Sequence, residues 1–111
     1  MNILLSIVML LSVAGGLYLA TQILTNKKPP LSAANIHGFI GLAVLIVLAI
    51  QAYSMNKLEL WIALGMLIIA SLGGLYLVNN QKKGELGPKS AVYIHGIFAI
   101  IAIVLTLISI W

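Results

Sequence analysis

The chain has 111 residues, of which 62% are hydrophobic and 7% charged, with a net charge of +4 and no cysteine. A soluble domain carries roughly a quarter charged residues, so this composition excludes an ordinary water-exposed surface. The absence of cysteine excludes disulfides, thiolate metal sites and haem attached through a C-x-x-C-H motif. The charged residues are Lys27, Lys28, Lys57, Glu59, Lys82, Lys83, Glu85 and Lys89, and they mark off four uncharged stretches: Met1–Asn26, Pro29–Asn56, Leu60–Gln81 and Ser90–Trp111. A helix needs about 20 apolar residues to cross a bilayer, and each stretch is long enough.

The first predicted helix covers about residues 3–24. Ile3–Leu11 followed by Ser12-Val13-Ala14 has the outline of a signal peptide with a cleavage site. A basic stretch before it is missing, and the apolar run continues through Leu17–Leu24, so it reads as an uncleaved helix. Asn26, Pro29 and Pro30 break the chain before a second helix over about 31–54. Asn56 precedes a third over about 59–79. Asn79, Asn80, Gly84, Gly87 and Pro88 precede a fourth over about 90–110. Proline is tolerated at a helix start because its missing N–H would be unpaired there, and Ser32 and Ser90 are expected to cap the second and fourth helices.

The lysines set an expected orientation. Lys27 and Lys28 lie in the first connection, Lys82, Lys83 and Lys89 in or beside the third, and only Lys57 in the second. The positive-inside rule places the first and third connections in the cytoplasm and both termini on the far side. Tyr53, Trp61 and Trp111 then fall at the outer interface, where aromatic residues collect. Most of the positive charge is thus spent at the membrane edge, which argues against a nucleic-acid partner. The bilayer is the expected partner, and the inner membrane of a prokaryote the expected location.

The sequence GGLYL occurs at Gly15–Leu19 and again at Gly73–Leu77, and IHG at Ile36–Gly38 and again at Ile94–Gly96. Sliding the chain by 58 residues, the distance from His37 to His95, aligns both motifs without a gap. Pro30 then falls on Pro88, Ser32 on Ser90 and Ala33 on Ala91. Random survival after a duplication would mostly preserve Leu or Ile, whereas these matches include glycine, proline and histidine. The expected fold is therefore all-α: a four-transmembrane-helix bundle built from two hairpin repeats, residues 1–54 and 59–111. Because each repeat crosses twice, the two are oriented in parallel, and His37 and His95 lie at equal depth.

His37 and His95 are the only histidines. His37 is expected about six residues into its helix, roughly 9 Å below the membrane edge at 1.5 Å per residue. Gly15, Gly16 and Tyr18, with Gly73, Gly74 and Tyr76 in the second repeat, are expected near the same layer. An ionisable residue inside a membrane segment points to function by default. Small residues surround both histidines: Ala33 and Ala91 one turn before, Gly41 and Ala99 one turn after, and Gly38 and Gly96 beside them. Nearly bare backbone of this kind admits a flat macrocycle, although small residues also serve close helix packing.

One haem b with His37 and His95 as its two axial ligands is the expected cofactor, suited to electron transfer because no coordination position stays open. Haem carboxylates would lie toward Lys27, Lys28, Lys82, Lys83 and Lys89, or toward the hydroxyls of Ser32 and Ser90. This arrangement resembles the membrane four-helix cytochromes b, in which histidine pairs hold haem between bundle helices. The resemblance covers the architecture and is carried by His37, His95 and the glycines. No histidines remain for the second haem of the common two-haem members. It implies a small subunit of, or partner to, a larger membrane redox complex or a quinone pool, an electron carrier and not a stand-alone enzyme.

Three alternatives stand beside it. The Ala33-x-x-x-His37 and Ala91-x-x-x-His95 spacings look like the stretch that holds chlorophyll-type pigments in light-harvesting helices, and an accessory subunit without any cofactor belongs to the same class. A small proton-coupled transporter would need a membrane-embedded carboxylate, but Glu59 and Glu85 lie at helix ends or in connections. A zinc or copper site would need more ligands than two histidines supply.

Overall fold

The computed structural model describes all residues from Met1 to Trp111. It contains four helices and the turns between them: α1 (Asn2–Leu24), α2 (Leu31–Met55), α3 (Leu58–Lys82) and α4 (Lys89–Ile110). In hydrocarbon every backbone N–H and C=O must be paired within the protein. Helices meet that demand locally, and 80 of the 96 backbone hydrogen bonds lie within them. All four are long and apolar enough to cross a membrane. The chain is an integral membrane protein, measuring 42 × 21 × 18 Å.

Short connections force neighbouring helices to run antiparallel. Each helix packs on the two beside it, so that α1 lies diagonally across from α3, and α2 across from α4. The seam between α1 and α4 is the only one that no loop closes, and it is the most loosely packed. The first and third connections meet at one end, where the Lys28 ammonium donates to the Gly84 carbonyl at 2.5 Å. Beside it the Gln81 amide donates to the Pro29 carbonyl at 2.6 Å. At the other end Asn2 donates to the Ile110 carbonyl at 2.9 Å and accepts from the Gln51 amide. Lys57 reaches the Ser109 carbonyl there at 2.6 Å.

The helix ends follow from local chemistry, with two departures from the sequence expectation. Asn26 (φ 61°), Asn56 (φ 49°) and Gly84 (φ 78°) adopt left-handed backbone, which asparagine and glycine tolerate better than other residues. The third helix runs to Lys82 and not to about 79. Asn80 is held in the helix as its amide bonds back to the Tyr76 carbonyl at 2.9 Å, and the left-handed residue that stops the chain comes only at Gly84. Ser32 and Ser90 do not cap their helices. Pro30 and Pro88 occupy the N-cap positions, with ψ of 138° in both, and no side-chain cap bond forms. Each serine therefore sits at the second helical position, already inside the first turn.

Large buried side chains gather toward the end that holds both termini. Leu5, Met9, Leu48, Leu60 and Thr106 are fully enclosed there, and one apolar cluster joins the first four to Val44, Ala63, Leu67 and Ala102. The half nearer the first and third connections buries mostly small residues, Ala34, Ala70 and Val92. The molecule thus has one half that buries large side chains and one that buries mostly small ones. Both histidines lie toward the latter.

Candidate functional site

His37 is carried by α2 and His95 by α4, each six residues past the start of its helix. Those helices are diagonal partners, so the imidazoles meet across the middle of the bundle. Their ring centroids are 6.2 Å apart and their planes cross at 83°.

Each ring rests against the glycine pair of the preceding helix. A Cβ on Gly15 would lie 3.3 Å from Nδ1 of His37, and one on Gly16 would lie 3.1 Å from its Cε1. In the other half a Cβ on Gly73 would lie 3.5 Å from Cβ of His95, and one on Gly74 would lie 3.1 Å from its Cε1. Even alanine would therefore crowd the ring at Gly16 and Gly74, and a larger side chain would expel it. The glycine pairs form notches that seat the imidazoles, and this explains why GG and H recur together.

The polar contacts differ between the halves. Nδ1 of His95 lies 2.6 Å from the Ala70 carbonyl. Nδ1 of His37 is buried without a hydrogen-bond partner. Ser12, at the position that aligns with Ala70, makes no hydrogen bond to it. Ala70 escapes notice in the sequence because a backbone carbonyl makes the contact, and the residue type carries no sign of it.

The other residues singled out by the repeat are placed differently. Tyr18 and Tyr76 stand on the outer surface of the bundle, 45% and 50% exposed. Gly38 is exposed, and a Cβ on Gly38, Gly41 or Gly96 would meet nothing within 4 Å. Ala33 and Ala91 are half-buried, while the next residues, Ala34 and Val92, are buried. Gly96 borders an apolar cleft in the α1–α4 seam, lined also by Ala20, Leu24, Val92, Tyr93 and Ile97. The structure thus assembles six of these residues, His37, His95, Gly15, Gly16, Gly73 and Gly74, and leaves the tyrosines outside.

The donor set can be tested against a metal. A metal–imidazole bond is about 2.0–2.1 Å; adding about 1 Å from nitrogen to ring centre puts two imidazoles on one metal roughly 6 Å apart, centre to centre. The observed separation has that magnitude. No cluster of three or more His, Cys, Asp or Glu side chains exists, so a bare ion would lack most of its ligands. A macrocycle supplies four nitrogens of its own and asks the protein for two axial ones, which is the number available. Two imidazoles in one layer, seated against glycine pairs, match in number the protein ligands that a haem would need. No family model, no curated protein and no solved structure matches the chain.

Proposed function

We propose that this chain is a membrane b-type cytochrome, an electron carrier in which His37 and His95 hold one haem b from opposite sides. The observation that carries the proposal is the pairing of the only two histidines across the bundle centre, with ring centroids 6.2 Å apart. Haem with two histidine ligands supplies a one-electron couple without an open position for oxygen. The chain's own residues would do the rest. The imidazoles bind, and the glycine pairs keep bulky side chains away from them. The apolar wall of the bundle excludes water, and the lysines of the first and third connections face carboxylates at the membrane edge. The protein would exchange electrons with a larger membrane redox complex or a quinone pool. The same proposal keeps the two hairpins as parallel repeats, the lysine-rich connections in the cytoplasm and the termini outside, in a prokaryotic inner membrane.

One observation favours a second function, that of a cofactor-free accessory subunit. The bond from His95 to the Ala70 carbonyl ties α4 to α3 with or without haem. Substitution separates the two. Haem ligation predicts that His37→Ala and His95→Ala each convert a six-coordinate spectrum to a five-coordinate one or lose haem, and that the double variant binds none. Wild-type haem spectra in both single variants would leave only the packing role.

A further inference from the structure

The Gly73-Gly74 pair does more than make room. In an α-helix each Cβ tilts toward the N-terminus and covers the turn before it. The carbonyl of Ala70 is therefore shielded by residues 73 and 74, three and four positions on. Both are glycine. That carbonyl already accepts the helical N–H four residues ahead, but a carbonyl oxygen has a second lone pair. It is laid bare toward α4, and Nδ1 of His95 meets it at 2.6 Å. A carbonyl can only accept, so Nδ1 carries the proton and Nε2 keeps its lone pair. The first half repeats the glycine spacing, with Gly15 and Gly16 three and four residues after Ser12, but there Nδ1 of His37 has no hydrogen-bond partner.

We infer that Gly73-Gly74 are positioning residues that bare the carbonyl of Ala70, so that it fixes His95 in the Nδ1–H form with Nε2 free, whereas Nδ1 of His37 has no such partner. A neutral imidazole in water prefers the opposite tautomer. The Nε2 lone pair of His95 is then free to meet an electrophile. An Nδ1–H bonded to a carbonyl also makes a histidine a more basic ligand. As a statement about ligands, the inference rests on the haem proposal. As a statement about tautomers, it holds without haem.

The test is nitrogen-15 NMR of the ring-labelled, full-length chain in lipid nanodiscs with no haem added, at a pH where both rings are neutral. Resonances are assigned with His37→Gln and His95→Gln. The wild-type His95 ring should show a protonated Nδ1 and a bare Nε2. Gly74→Ala should move His95 toward the Nε2–H form. Gly65→Ala, where a Cβ meets nothing within 4 Å, should leave it unchanged. A wild-type His95 in the Nε2–H form overturns the inference even if the glycine variants fail to fold. So does a folded Gly74→Ala protein that keeps the Nδ1–H form. The expected tautomer in a chain that then takes up no haem would refute the cytochrome and leave the carbonyl positioning intact.

Discussion

Gly16 and Gly38 are both glycines beside a histidine in the repeat, yet they stand in different surroundings. A Cβ on Gly16 would lie 3.1 Å from the His37 ring, whereas one on Gly38 would meet nothing within 4 Å. Gly16→Leu should therefore abolish haem retention while leaving membrane insertion intact, and Gly38→Leu should retain haem. Haem per protein after purification in detergent is the readout, and equal occupancy in both variants would remove the glycine notch from the site. The histidines and glycine pairs were legible in the sequence because polar and bare positions are rare in apolar helices. The tyrosines were misleading for a geometric reason. At 100° per residue, Tyr18 lies about 200° around the helix from Gly16, and so on its opposite side. Amphipathic patterning would normally reveal such a face. These helices are apolar all round, with Leu17, Phe39 and Ile94 exposed to the membrane, and the pattern that identifies a buried side is lost.

At the scale of elements, the uncharged stretches marked the four helices, because charge is excluded from hydrocarbon whatever the fold. The helix ends were less legible. Whether Asn80 and Gln81 extend a helix or break it depends on the partners their side chains find, the Tyr76 and Pro29 carbonyls. Serine after proline likewise suggested a cap, but proline itself took the capping position. The turn at Gly84 carries the clearest backbone requirement, with φ at 78°. Asn26, which the 58-residue offset places on Gly84, also has positive φ, at 61°. Left-handed backbone costs most residues about 1–2 kcal/mol, and asparagine less. Gly84→Val should thus destabilise the protein by about that amount, while Gly84→Asn should be nearly neutral. Unfolding of the purified protein by denaturant in mixed micelles compares the two. Equal stability of Val and Asn at this position would contradict the turn assignment.

Across the whole molecule, a half that buries the large side chains of Leu5, Met9, Leu48 and Leu60 adjoins one that buries mostly small residues. The proposed orientation rests on the lysines, five of which stand at the end shared by the first and third connections. Single cysteines at Asn26 and Gly84 should react with an impermeant thiol reagent only from the cytoplasmic side, and those at Asn2 and Trp111 only from outside. The opposite labelling would invert the protein and move the histidine layer to the other leaflet. The central claim is that two histidines share one iron, and the most direct measurement is the absorption spectrum of the purified wild-type protein with haem, oxidised and then reduced. Low-spin, six-coordinate haem with a sharp reduced alpha band is the predicted result. High-spin five-coordinate haem, a chlorophyll-type spectrum or a colourless protein that takes up no haem would contradict it.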